Sequence, residues 1–211
     1  MIRQRSGSRV VGAALCASVS LLLCTSPLLA TQDEERLEGS HIIAALAFLA
    51  VPVEDPLSAT YRPHPGFAVR YAFQPNRRWS LAGELASRSS DGSTATFGFP
   101  TELRVTTMAA LARLHFPVRA SDIWLGDLCV GVGLIYQRLE EEVGFPEGPV
   151  EADESATGLL ITAGIRRRLG TQWGVLGEAR FSRLSAPSPA PGIDGAELGT
   201  FELAAGVYLA F

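Results

Sequence analysis

The residues from Thr200 to Phe211 alternate strictly between two kinds of side chain. Phe201, Leu203, Ala205, Val207, Leu209 and Phe211 are apolar, and Thr200, Glu202, Ala204, Gly206, Tyr208 and Ala210 between them are small or polar except for the aromatic Tyr208. A repeat of two belongs to a β-strand with one greasy face; an amphipathic helix would repeat every ~3.6 residues. Chain ends usually fray. A strand this apolar that runs to the last residue is therefore expected to be held by pairing, as the closing strand of a barrel whose every backbone group must find a partner within the wall.

The same alternation recurs along the chain and predicts eight strands at about 41–51, 66–74, 78–88, 103–116, 123–137, 157–168, 173–184 and 200–211. One face of the second carries Phe67, Val69, Tyr71 and Phe73, and the other Ala68, Arg70 and Ala72. The third sets Trp79, Leu81 and Leu85 against Ser80, Ala82, Glu84 and Ala86. The fifth sets Leu128, Val130, Val132, Leu134 and Tyr136 against Asp127, Cys129, Gly131, Gly133 and Gln137. The seventh sets Trp173, Val175, Ala179 and Phe181 against Gly174, Glu178 and Arg180. The first strand is apolar on both faces and leaves its register open, and the sixth leaves Leu160 on the polar face. Gln74-Pro75-Asn76-Arg77, the stretch from Pro117 to Asp122, and Leu169-Gly170-Thr171-Gln172 are short turns. The other connections are long, at about 52–65, 89–102, 138–156 and 185–199. An even strand number, with short turns at one rim and long loops at the other, predicts an all-β, up-and-down antiparallel transmembrane β-barrel.

The N-terminus fits export. Arg3, Arg5 and Arg9 precede an uncharged apolar run from Val10 to about Leu23, with a cut expected after Ala30. Residues 1–30 read as a cleaved signal peptide and 31–211 as one barrel domain. The alternative is an uncleaved anchor, but Pro27 and the polar cluster before it leave the apolar run short of the ~18 residues of a spanning helix. Cys16 and Cys24 lie in the leader, so the remainder keeps only Cys129 and no internal disulfide. The leader holds three of the 18 basic residues and none of the 22 acidic ones, which leaves a net charge of −7 on the rest. That balance argues against nucleic acid as a partner.

Trp79, Trp124 and Trp173 each open a strand that leaves a short turn. In a membrane barrel all three stand outward near one rim, as one girdle of the aromatic belt. A soluble barrel would turn the apolar faces inward and show water the other face. That face is mostly Ala, Gly and Ser, which suits the interior of a narrow barrel better than a solvated surface.

Arg70, Glu84, Arg113, Asp127, Arg166, Glu178, Arg180 and Glu202 all fall on the inner face, four of each sign. Buried charges need partners, so they are expected to pair into a network that plugs the lumen; a narrow polar pore is the other reading. No catalytic set, cofactor motif or metal spacing emerges. His41, His64 and His115 are scattered, and spacing does not select a meeting of His64, in a long loop, with Ser90 and Asp91. Glu140, Glu141, Glu142, Glu147, Glu151, Asp153 and Glu154 crowd one long connection. Like charges predict a solvated, mobile loop there; binding of divalent cations is the alternative. Pro187, Pro189 and Pro191 predict a stiff or disordered arch from Ala186 to Leu198.

With Phe211 last, Leu209 two before it and Gly206 five before it, the closing strand resembles the C-terminal signal of bacterial outer-membrane proteins. Together with the leader, the turn and loop order and the Trp placement, the chain resembles the small eight-stranded outer-membrane β-barrel proteins. The resemblance implies secretion through the periplasm and insertion by the barrel-assembly machinery. It further implies a home among outer-membrane lipid and lipopolysaccharide, porin-like in architecture, with loops toward the outside. Members of such families act as wall-stabilising proteins, adhesins, small-solute channels or lipid-modifying enzymes, so fold leaves the task open. The expectation is a non-enzymatic integral barrel with a structural or loop-mediated role and an unidentified outer partner. A narrow passive channel for small or apolar solutes and a lipid A-modifying enzyme are the alternatives.

Overall fold

The computed structural model describes residues 39–53, 61–93, 98–120, 123–185 and 197–211. The expected signal peptide, residues 54–60 of the 52–65 connection and residues 186–196 of the expected arch lie outside the described residues. The strands are β1 (Ser40–Pro52), β2 (His64–Asn76), β3 (Trp79–Ser93), β4 (Pro100–Ala120), β5 (Ile123–Phe145), β6 (Gly148–Arg168), β7 (Trp173–Ser185) and β8 (Glu197–Ala210). Each pairs antiparallel with its sequence neighbours, and β8 pairs with β1 from Ile42↔Ala210 to Pro52↔Thr200, which closes the barrel. The closing strand is thus held along its length, with Phe211 N donating to His41 O at 2.9 Å. At this seam Gly206 lies where a Cβ would run into the Ala45 carbonyl, so glycine lets the two strands approach.

The faces divide as the alternation requires. Phe67, Val69, Leu81, Leu85, Val132, Leu134, Ile161, Val207 and Leu209 point outward and are exposed. Arg70, Glu84, Arg113, Glu178 and Arg180 point inward and are buried. The ambiguous β1 turns Ile42, Ala44, Leu46, Phe48 and Ala50 inward and Ile43 outward, and Leu160 on β6 is buried in the lumen. The outward apolar band on β5 runs from Leu128 to Tyr136. At ~3.3 Å per residue and a tilt of ~45° that stretch stands roughly 20 Å tall, close to the ~25 Å apolar band of a membrane barrel. Trp79 and Trp173 stand outward at the short-turn rim. The backbone of Trp124 pairs with Arg119 at the same rim, and its side chain lies outside the described residues. The β2–β3 turn is held by Asn76 Oδ1, which accepts from Arg78 N at 2.9 Å and Trp79 N at 3.2 Å.

The long-loop rim corrects the sequence reading. The acidic stretch 138–156 is not a loop. It is the upper part of β5 and β6, paired from Arg138↔Ser155 to Phe145↔Gly148, with Pro146 and Glu147 forming a tight turn. Gly148 takes φ 134°, a conformation that favours glycine, just after that turn. β3 and β4 also run further than expected, pairing as far as Ser93↔Pro100. The reason is that like charge along a chain does not prevent pairing when the ladder interleaves cations. Arg138 Nη2 reaches Asp153 Oδ2 at 2.6 Å, Arg138 Nε lies 3.3 Å from Glu140 Oε1, and Arg104 pairs in register with Glu140. Leu103, Val105 and Leu139 add buried apolar area on the inner side of this extension. His64 likewise opens β2 and is buried, where a loop position was expected.

Candidate functional site

The buried charged side chains among the described residues collect in the lumen. Every one of the eight inward charges expected from the sequence finds an opposite charge. Arg70 Nε donates to Glu84 Oε2 at 2.8 Å across the β2–β3 ladder, where the two residues are in register. Arg70 also crosses the barrel to β7, its Nη1 and Nη2 donating to Glu178 Oε2 and Oε1 at 3.0 and 2.8 Å. Arg113 of β4 reaches the same carboxylate through Nη2. Arg180 donates through Nε to Glu178 Oε1 at 2.8 Å and through Nη1 across the lumen to Glu84 Oε1 at 2.7 Å. Glu178 thus holds three guanidinium groups from three strands, and Glu84 holds two.

Two further links lie above and below this layer. Arg88 of β3 donates to Glu202 Oε1 of β8 at 2.7 Å, with Arg180 lying 3.6 Å from Glu202 Oε2. Toward the short-turn rim, Arg166 Nη2 donates to Asp127 Oδ2 at 2.7 Å and Nη1 to Gln74 Oε1 at 3.0 Å. Arg88 was missed in the sequence. Its even position on β3, in phase with Glu84, carried the signal; the strand was expected to end there. With Arg88, these inner ion pairs involve five arginines and four carboxylates, not four of each.

The bonds from Arg70 to Glu178, Arg113 to Glu178, Arg180 to Glu84 and Arg88 to Glu202 each join strands that are not neighbours. They are chords through the barrel, and the space they cross is filled by side chains. Below them lies a cavity of about 20 Å³. A volume of ~10–15 Å³ of this kind holds one water, so no solute of metabolite size fits.

Among the described residues the three histidines bond separate partners. His64 Nδ1 donates to the Arg62 carbonyl at 2.9 Å, and the Ser90 hydroxyl donates to the same oxygen at 3.4 Å. The two therefore share an acceptor instead of bonding each other, and Asp91 alternates onto the exposed face. His41 sits at the short-turn rim against Tyr71 Oη at 2.6 Å. His115 is buried between Ser80 Oγ at 2.8 Å and Cys129 Sγ at 3.1 Å. A thiol beside an imidazole is a reactive pairing in an open cleft; here both are enclosed by the wall.

Beyond the apolar band the chemistry is milder. Tyr61 is buried against the extension and donates to Glu141 Oε1 at 2.5 Å. Burial, with the Glu141 carboxylate beside it, pushes the Tyr61 phenol well above its ordinary range. The Arg138 guanidinium holds the Asp153 carboxyl below the usual aspartate range through its hydrogen bond. Phe99 and Phe145 meet near the tip, ring centroids 5.1 Å apart. Among the described residues no three His, Cys, Asp or Glu side chains group as metal ligands.

Solved structures of small membrane barrels share this architecture. OprG, an outer membrane protein of Pseudomonas aeruginosa, matches with a TM-score of 0.55 at 11% identity, over 85% of this chain and 99% of that one. Neisserial surface protein A, NspA, matches at a TM-score of 0.53 and 14% identity, over 82% of this chain and 100% of that one. Ail, the attachment invasion locus protein of Yersinia pestis, was solved in complex with the heparin analogue sucrose octasulfate. It matches at a TM-score of 0.52 and 16% identity, over 82% of this chain and 99% of that one. No family model and no curated protein matches the sequence. At such identities the likeness is one of fold.

Proposed function

We propose that this chain, an eight-stranded transmembrane β-barrel with the fold of the outer-membrane proteins above, is a closed, non-catalytic wall protein that presents the β4–β5–β6 extension to the outside. The observation that carries this reading is the set of ion-pair chords through the lumen. A channel needs a continuous wet path, and the Arg70–Glu178, Arg113–Glu178 and Arg180–Glu84 links occupy it. The extension supports a display role. From Tyr136 to Phe145 β5 rises roughly 20 Å above the apolar band at ~3.3 Å per residue and a ~45° tilt. It is a paired sheet, so its side chains are held in a fixed register before any partner arrives, which lowers the ordering cost of binding.

In this reading the barrel reaches the outer membrane through the periplasm, is inserted by the barrel-assembly machinery, and sits among lipid and lipopolysaccharide. Planar-bilayer recording tests it: purified protein is expected to give no current steps above a detergent control. Discrete steps from the wild-type barrel would overturn the closed-lumen reading in favour of a passive channel. Mass spectrometry of lipid A from cells with and without the protein is expected to show one acyl pattern; a changed pattern would mean an enzyme.

A further inference from the structure

The cavity below the chords has an unbalanced wall. Its polar lining consists of Arg70, Arg113, Arg166, Ser80, His115 and Tyr208, and no carboxylate is among the residues that line it. Three polar atoms of these residues are buried without a hydrogen-bond partner: Arg113 Nε, Arg166 Nε and Tyr208 Oη. All three side chains are at least nine-tenths buried, and Tyr208 is among the most enclosed in the molecule. The charge is unbalanced in the same place. Arg113 shares Glu178 with Arg70 and Arg180, whereas Arg166 has Asp127 and Arg88 has Glu202. Five arginines face four carboxylates in these inner pairs, and the surplus cation falls at the Arg113 corner beside the cavity. A buried charge without a counter-charge is costly.

We infer that the cavity is a binding site for one small monoatomic anion of the chloride class, held by Arg113, Arg166 and the Tyr208 hydroxyl. Each of the three unpartnered groups can donate a hydrogen bond, which is what an anion accepts. The volume of about 20 Å³ selects the class of ligand. It has room for little more than one water-sized body, so phosphate, sulfate and carboxylates are too large. The site restores neutrality to the chords above it, and the barrel carries the ion as part of its core.

The test uses the full-length barrel in a detergent of uncharged headgroup. Its unfolding temperature is measured in chloride, bromide, gluconate and sulfate at constant ionic strength. A saturable rise of several degrees in chloride and bromide is expected, absent in gluconate and sulfate, because a ligand of the native state stabilises in proportion to its occupancy. Crystals grown in bromide should show an anomalous peak between Arg113, Arg166 and Tyr208. Arg113→Gln should abolish the halide response. Tyr208→Phe, which keeps the ring and removes only the hydroxyl, should weaken it and serves as the variant of record if Arg113→Gln does not fold. Identical unfolding temperatures in chloride and gluconate, or bromide crystals with no peak in the cavity, would overturn the inference and leave a water there.

Discussion

The lumen and the β4–β5–β6 extension are built from the same acids and the same guanidinium groups, yet they carry opposite structural weight. Inside, Arg70 and Glu178 lie 2.8 Å apart with side chains 3% and 0% exposed. Outside, Arg138 and Asp153 lie 2.6 Å apart with side chains 52% and 55% exposed. Distance does not separate the two pairs; water does. In the lumen neither partner can fall back on solvent, so losing one strands the other. On the extension both are solvated whether or not they meet, and the pair contributes little. A charge-rich stretch therefore says nothing about stability until its surroundings are known.

Breaking the inner pairs should have the largest effect. Glu178→Ala leaves Arg70, Arg113 and Arg180 short of a carboxylate and is expected to cost about 3–5 kcal/mol, read as a large drop in unfolding temperature in detergent. An unchanged temperature would mean that water enters the lumen freely. Gly206→Ala places a methyl against the Ala45 carbonyl at the β8–β1 seam. A cost of about 1–3 kcal/mol is expected from the forced strand shift, together with loss of the slower-migrating to faster-migrating shift that an unboiled closed barrel gives on SDS gels. Tyr61→Phe removes the hydroxyl that bonds Glu141 and should cost about 1 kcal/mol, with increased amide exchange confined to the extension.

The smallest effect should come from Asp153→Asn, with no resolvable change in unfolding temperature. The pH dependence of this pair sharpens the contrast. Because Arg138 depresses the Asp153 pKa, the contact is complete above the ordinary aspartate pKa and is lost as pH falls through the depressed value. Acid titration followed by NMR should thus move Asp153 and Arg138 resonances while the barrel stays folded. A global transition at that point would show that the extension and the lumen unfold as one unit.

Much of the wall was legible because a strand's period of two assigns each residue to a face without knowledge of its neighbours. Outward Phe67 and Leu209, inward Glu84 and Arg180, and the short turn at Asn76 all follow from that rule and from turn chemistry. The rule is silent where both faces are alike, as on β1, whose direction was settled only by packing Phe48 inward. It also fails where like charges crowd one stretch of a strand. Glu140 to Glu142 look like a solvated loop in sequence, yet they sit in a ladder in which β4 brings Arg104 opposite Glu140, while Arg138 lies beside Glu140 on the same strand. Placing the end of β3 at Arg88 also hid that residue as an inward charge, since the strand runs on to Ser93 only through its pairing with β4.

The sequence by itself determined the alternation, the strand count, the inward charges other than Arg88 and the outward apolar band, because these depend only on residue type and order along one strand. The tertiary structure alone decided who pairs with whom. The Arg70–Glu178 and Arg88–Glu202 chords join residues 108 and 114 positions apart on strands that never touch. Closure and register place them opposite each other across the lumen, and the Arg113 side is left with more positive charge than the carboxylates can match. Such distances through space are set by the barrel's curvature, which no single strand contains.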